Sequence, residues 1–129
     1  MFSQNNRIFP IFDLHFTRTE MDTKTNIERI TEIIRTECAE QSVEVLNLIL
    51  FGSRAVGTER IDSDWDFIVV INKSFPRKER LALWQKLDRA LVHNGCVADI
   101  IIKSETEYER DRDDIGKVTY YAQKTGVTV

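Results

Sequence analysis

The chain has little cysteine, and its two cysteines do not form the pattern of a disulfide framework. Cys38 and Cys96 are the only two in 129 residues, and both lie in segments with apolar patterning. Small domains that depend on disulfides carry more cysteines at regular spacings. We therefore expect two reduced thiols in the core, with a structural disulfide between them as the less favoured alternative.

Long hydrophobic runs and a strong charge of one sign are also absent. No apolar stretch approaches the roughly 20 residues that a membrane-spanning helix needs. The apolar stretch at residues 8–12 is too short for a signal peptide and is interrupted by Pro10. A net charge of −3 argues against a general nucleic-acid binder, which is usually basic. These absences predict a cytoplasmic protein without a membrane segment. A nucleic-acid partner is the less favoured alternative, because a local basic patch remains compatible with this net charge.

The apolar residues that are present suffice for one small domain. An apolar content of 42% and a charged content of 30% are ordinary for a globular chain, and 129 residues leave room for one core. All recognisable helix and strand patterns lie in residues 24–129, which we predict to be the domain.

The first 23 residues do not follow this pattern. They hold four of the seven phenylalanines but show no clear period. We predict an N-terminal extension over residues 1–23, which is flexible or precedes a true start at Met21. The alternative is an arm that packs on a neighbouring subunit of a homo-oligomer through Phe9, Phe12 and Phe16.

The predicted elements alternate between helices and buried strands. Capping boxes at Thr25/Glu28 and Ser104/Glu107 indicate two helix starts. The predicted strands are 43–51, 66–71 and 97–102, and the predicted helices are 25–40, one from Pro76 to 93–95, and 113–124. The inward faces are predicted to be Leu81, Trp84, Leu87 and Leu91 in the middle helix and Val118 and Tyr121 in the last. This order predicts an α/β (α+β) fold, a small mixed sheet with helices packed on it.

Two carboxylates stand at the head of the second apolar run. Asp64 and Asp66 flank Trp65. In a strand, residues i and i+2 point to the same face with Cα atoms roughly 6.6 Å apart, whereas the residue between them points to the other face and is predicted to be core. Carboxylate oxygens on one face can share hard cations such as Mg²⁺. The pair therefore predicts a metal site.

A glycine-serine pair ends the preceding apolar run. Gly52 permits close approach of the backbone to a phosphate, and Ser53 offers an amide and a hydroxyl. Arg54 follows in a predicted short helical turn that Gly57 closes, and its guanidinium fork matches phosphate oxygens. Alone, this is an ordinary turn. With the carboxylates ten residues later, it predicts a nucleotide-binding turn.

A third carboxylate, Asp99, lies inside the apolar run 97–102. An ionised carboxylate in an apolar setting is costly unless it is paired or holds a metal. If this strand lies beside that of Asp64 and Asp66, three carboxylates converge. Such a set can hold two divalent ions roughly 3.5–4 Å apart, which suits in-line displacement at phosphorus.

The ordered set resembles a known family. The stretch LILFGSRAVGTERIDSDWDFIVV, followed by Asp99 in a later strand, is similar to the DNA polymerase β-like nucleotidyltransferases, in particular the minimal nucleotidyltransferases of bacteria and archaea. The resemblance covers residues 24–129. It implies transfer of a nucleoside monophosphate, AMP above all, from ATP or another nucleoside triphosphate. It also implies two Mg²⁺ ions, with Mn²⁺ as the substitute, held by the catalytic Asp64, Asp66 and Asp99.

The resemblance also implies a protein partner. Larger relatives carry a second domain for an antibiotic, RNA or DNA, and this chain has no evident room for one. Minimal members are commonly antitoxins that adenylylate a tyrosine of a HEPN ribonuclease toxin, which is the expected acceptor here. The alternatives are a non-catalytic binding module of a toxin–antitoxin pair, and a transferase with a small-molecule or RNA acceptor. The intact carboxylates favour an enzyme.

Overall fold

A mixed sheet lies at the centre of the fold. The computed structural model describes residues 18–57 and 64–129, with side chains from residue 25 onward. In these ranges the strands are β1 (Val45–Phe51), β2 (Trp65–Ile71), β3 (Ala98–Ser104) and β4 (Val127–Thr128). Their order is β3-β2-β1-β4, with β2 and β3 parallel and the other neighbours antiparallel. The predicted small mixed sheet is confirmed, and β4 is a strand that the sequence did not predict.

Helices cover both faces of this sheet. They are α1 (Arg18–Glu40), α2 (Ser53–Val56), α3 (Arg77–His93), α4 (Glu105–Asp111) and α5 (Val118–Thr125). The larger core joins α1 and α3 to one face of the sheet, and the smaller core joins α4 and α5 to the other. Both cysteines are buried in the larger core as free thiols, as predicted. Among the described helices, none combines the length and apolar character needed to span a membrane.

Alternation along β2 assigns its residues to the two cores. Phe67 and Val69 belong to the larger core, whereas Ile68 and Val70 belong to the smaller one. Because side chains two residues apart share a face, Asp66 lies on the same face as Ile68. The same argument on β3 puts Asp99 on the face of Ile101, which packs against the smaller core.

The predicted inward face of α3 is partly wrong. Leu87 and Leu91 are buried as predicted, but the third buried residue is Leu83, while Leu81 and Trp84 are 52% and 36% exposed. Leu83, Leu87 and Leu91 recur every four residues and form one stripe along the helix. This stripe packs in the larger core with residues of the sheet. Trp84 lies instead beside β3, where its Nε1–H donates to the Ile100 carbonyl at 3.0 Å.

The last helix also differs from the prediction, because it begins at Val118 rather than at residue 113. The carboxylate of Asp114 accepts a hydrogen bond from the Gly116 amide at 3.0 Å, which holds the preceding segment in a turn. Thr119 and Ala122 are the buried residues of α5, whereas Val118 and Tyr121 are exposed. The predicted inward pair is therefore wrong.

The first helix begins earlier in the sequence than predicted. Helix α1 begins at Arg18, so the pair Thr25 and Glu28 lies inside the helix and does not start it. The sequence has no glycine or proline in residues 18–24 that would end a helix there. The predicted extension overlaps α1, and the phenylalanine arm, in residues 1–17, lies outside the described residues. By contrast, the capping box of Ser104 and Glu107 at the start of α4 is present.

Candidate active site

Three strand ends meet at one end of the sheet. β1 ends at Phe51, which pairs with Asp66 near the start of β2. Asp66 in turn pairs with Asp99 near the start of the parallel strand β3. Neighbouring strands lie about 4.8 Å apart, so the two aspartates project side by side from the same face. The structure thus brings together two of the three predicted carboxylates by direct strand pairing, and Asp64 directly precedes β2.

The electrostatics of Asp66 reflect this crowding. Partial burial raises the pKa of Asp66, and the negative charges of Asp99 and Asp64 raise it further. Both neighbours are exposed. The cluster therefore favours a positive partner, either a proton or a cation, at Asp66.

Asp99 lies in an apolar run of the sequence, which is typical of a buried strand, but its side chain is exposed. Ile100 and Ile102 are buried in the larger core, but Asp99 lies on the other face at the beginning of the strand, where it is exposed. The apolar run reflects the burial of its alternate residues rather than of the carboxylate. An exposed Asp99 is accessible to solvent and to other molecules.

Gly52 is required at its position for two reasons. Its φ of +78° and ψ of −159° belong to a region that residues with a Cβ rarely adopt. A Cβ built on Gly52 would also collide with the Oδ2 atom of Asp66. The Gly52 carbonyl accepts hydrogen bonds from the amides of Ala55 and Val56 at 3.1 and 3.3 Å, which fixes the turn into α2. The backbone and the Asp66 carboxylate are therefore in close contact.

Helix α2 carries the other two predicted nucleotide-binding residues. Ser53 is its first residue, and Gly57 ends it in the left-handed conformation, as predicted. The guanidinium carbon of Arg54 lies 4.2 Å from the centroid of the Trp65 ring. Trp65 is 7% exposed and belongs to the larger core, as predicted. Ser53 and Arg54 are thus held close to the first residues of β2.

The sequence that builds this site matches a known protein family. A family model described as "Polymerase beta, Nucleotidyltransferase" matches residues 28–115, which is more than half of the chain. The chain belongs to this family. The matched segment contains the glycine-serine turn and all three carboxylates. A search of curated proteins finds no match.

Membership of the polymerase β nucleotidyltransferase family establishes the class of reaction. Such enzymes transfer a nucleotide from a nucleoside triphosphate and generally use divalent metal ions. Among residues 25–57 and 64–129, no three acidic, histidine or cysteine side chains are arranged as a metal-binding group. The donor set nevertheless fits, because carboxylate oxygens suit Mg²⁺. Burial, and after it the negative charges of Asp99 and Asp64, raise the pKa of Asp66.

Sequence reasoning missed a charged cluster on the same face. The alternating acidic and basic residues of segment 105–114 are typical of a solvated face, but Asp111 is 2% exposed. Its carboxylate binds Lys103 Nζ at 2.8 Å and Arg110 Nε at 3.0 Å. Lys103 lies on β3, four residues after Asp99, so the cluster fastens α4 to the strand that carries the third carboxylate. An aspartate with two nearby cations in the sequence was the available signal.

Proposed function

We propose that this protein is a minimal nucleotidyltransferase that moves AMP from ATP to a hydroxyl group of a partner protein. The observation that carries the proposal is the pairing of Asp66 with Asp99 across the parallel strands β2 and β3. Gly52 lies directly against the Asp66 carboxylate, so the turn that would receive phosphates adjoins the carboxylates that would receive cations. Phosphate binding and charge neutralisation then occur at one end of the sheet.

The triphosphate lies over the turn at Gly52 and Ser53. The absence of a side chain at Gly52 permits close approach, and Ser53 supplies an amide and a hydroxyl. Arg54 supplies a planar set of donors that matches phosphate oxygens. These three residues orient the donor nucleotide so that its α-phosphate faces the carboxylates.

Asp64, Asp66 and Asp99 are the residues that would hold two Mg²⁺ ions, or Mn²⁺ in their place. When bound, such ions neutralise phosphate charge and lower the pKa of an attacking hydroxyl. The exposed Asp99 accepts the hydrogen bond of the acceptor hydroxyl and orients it. The hydroxyl oxygen attacks the α-phosphorus in line and its proton passes to the Asp99 carboxylate. The bond between the α-phosphorus and the oxygen that bridges to the β-phosphate breaks, and pyrophosphate leaves. Positioning supplies much of the acceleration.

The acceptor in this proposal is a tyrosine of a HEPN-type toxin encoded next to this chain. The exposure of Asp99 supports a hydroxyl presented by another molecule, because the attacking oxygen must come within roughly 3–3.5 Å of the phosphorus. In this role the protein acts as the antitoxin of the pair.

Radiolabel transfer tests the proposal. Purified protein is incubated with α-labelled ATP, Mg²⁺ and the product of the neighbouring gene, and intact mass locates added adenylyl groups. We expect label on the partner with wild type, and at least a 100-fold loss with Asp66→Asn or Asp99→Asn. Asp113→Asn, an equally conservative change at an exposed aspartate, is the matched control and should transfer normally.

The other outcomes separate the alternatives. Label on a small molecule or an RNA 3′ end would keep the transferase and reject the protein acceptor. Tight binding of the partner without any transfer, equal for wild type and Asp66→Asn, would reject the enzyme and support a binding module.

A further inference from the structure

Trp65 and Arg54 join the two halves of the candidate site. Trp65 stands between Asp64 and Asp66 in the sequence, but its side chain points to the opposite face, into the larger core. Arg54 belongs to the turn that follows Gly52, and its guanidinium lies 4.2 Å from the Trp65 ring centroid. The carboxylate strand and the phosphate turn are therefore connected by a stacking contact as well as by the chain.

The contact between Arg54 and Trp65 is a cation–π contact, with the guanidinium over the face of the ring. A guanidinium that stacks on an aromatic ring uses its flat face, whereas its N–H groups lie in its own plane. Tryptophan gives the strongest attraction of this type, and burial of the ring increases it. Because Trp65 is 7% exposed and packed in the core, its ring is a rigid support for a flexible side chain.

We propose that Trp65 is a positioning residue that holds Arg54 in the orientation that binds the triphosphate. This inference rests on the proposed function. Trp65 acts through Arg54 and does not touch the nucleotide itself. A purely structural Trp65 would fill the core and have no specific link to nucleotide affinity.

The chain offers a direct spectroscopic test, because it contains only two tryptophans. In a Trp84→Phe background, Trp65 is the single tryptophan. Titration with Mg²⁺ and a non-hydrolysable ATP analogue should change the fluorescence emission of Trp65, because binding of the phosphates to the Arg54 guanidinium changes the charge environment of the ring. Adding Arg54→Gln should abolish the change. Arg112→Gln, which removes a guanidinium that lies 5.5 Å from the Tyr108 ring on α4, is the matched control and should leave it intact.

A double-mutant cycle measures the coupling by calorimetry with the same analogue. Trp65→Leu should weaken binding about five- to tenfold, the size expected for a partly desolvated cation–π contact. Trp65→Phe keeps a ring and should stay within about twofold of wild type. In the Arg54→Gln background, Trp65→Leu should cause no further loss.

Two results would overturn the inference while the proposed function stands. One is an equal loss from Trp65→Leu with and without Arg54, and the other is an emission change that persists in Arg54→Gln. The second remains decisive even if Trp65→Leu does not fold. If wild type binds no nucleotide, both the inference and the proposed function fail.

Discussion

At the residue scale, Gly52 combines a backbone requirement with a requirement for space. A Cβ there would need both a disfavoured conformation and displacement of the Asp66 carboxylate. We expect Gly52→Ala to lower the free energy of unfolding by about 3 kcal/mol, the upper end for backbone strain, and to reduce transfer by at least 100-fold. Urea unfolding and label transfer measure the two effects.

Gly95 provides the matched control for this substitution. It has a similar φ of +75°, but a Cβ would meet nothing within 4 Å. Gly95→Ala should therefore cost about 1–2 kcal/mol from conformation alone and leave transfer intact. Equal transfer by the two alanine variants would show that the contact between Gly52 and Asp66 has no role in the site.

Asp111 is the residue whose ionisation should link folding to acid pH. Hydrogen bonds from Arg110 and Lys103 hold the pKa of Asp111 well below its usual range. Because the folded-state pKa is lower than the unfolded one, this stabilisation is fully present above about pH 4 and is lost as the pH falls further. Asp111→Asn should therefore be less stable than wild type at pH 7 and should lose less stability between about pH 4 and pH 2.

Urea unfolding at several pH values checks this expectation. Asp113→Asn removes the same charge from an exposed position and should keep the wild-type dependence. A dependence in Asp111→Asn as steep as that of wild type would mean that the two ion pairs do not stabilise the fold.

At the element scale, helix α3 protects the outer edge of β3. Arg80 and Trp84 lie one turn apart on α3 and donate to the carbonyls of Ile102 and Ile100, at 3.2 and 3.0 Å. Edge carbonyls of this kind are the groups that another strand would pair with. Glu107 anchors Arg80 at 2.7 Å and also completes the cap of α4, so two helices cooperate in this arrangement.

Removing both donors should expose the edge. We expect Arg80→Leu combined with Trp84→Phe to lower the free energy of unfolding by about 1–3 kcal/mol, as for two hydrogen bonds, and to increase self-association. Sedimentation velocity across a concentration series measures the second effect. Arg77→Leu adds the same apolar group at an exposed position of α3. This variant should unfold and self-associate as wild type does. A double variant that does not associate more than Arg77→Leu would contradict edge protection.

At the scale of the whole molecule, ionisation of Asp66 opposes folding. Burial and two like charges raise the pKa of Asp66, so its ionised form is disfavoured in the folded state. A raised carboxylate pKa means that the metal-free protein gains stability as the pH falls toward that pKa. Asp66→Asn removes this charge with little change of shape.

The Asp66 charge should therefore lower the melting temperature of the metal-free protein, whereas bound metal should raise it. In EDTA, Asp66→Asn should melt higher than wild type at pH 7 and should lack the gain on acidification. Mg²⁺ with ATP should raise the melting temperature of wild type far more than that of Asp66→Asn. Differential scanning calorimetry measures both. An equal rise in the two proteins would remove Asp66 from the metal site.

Local patterns determined much of this protein. Because side chains alternate between the two faces of a strand, the sequence predicts Asp64 and Asp66 on one face and Trp65 on the other. The turn after the first strand is predicted from its residue types, since glycine and serine favour turns. The capping box at Ser104 also depends on residues close in sequence. The glycine-serine turn and the three carboxylates, with their flanking apolar runs, carry the resemblance to the nucleotidyltransferase family.

Tertiary structure decided what depends on distant residues. The alignment of Asp99 with Asp66 requires β2 and β3 to be parallel neighbours in one register, and no local pattern fixes this. Because α3 has apolar residues on more than one face, only packing against the sheet determines that Leu83 is buried and Leu81 is exposed. The contact between Arg54 and Trp65 and the burial of Asp111 likewise depend on packing between elements, because burial and charge pairing are set by neighbours in space.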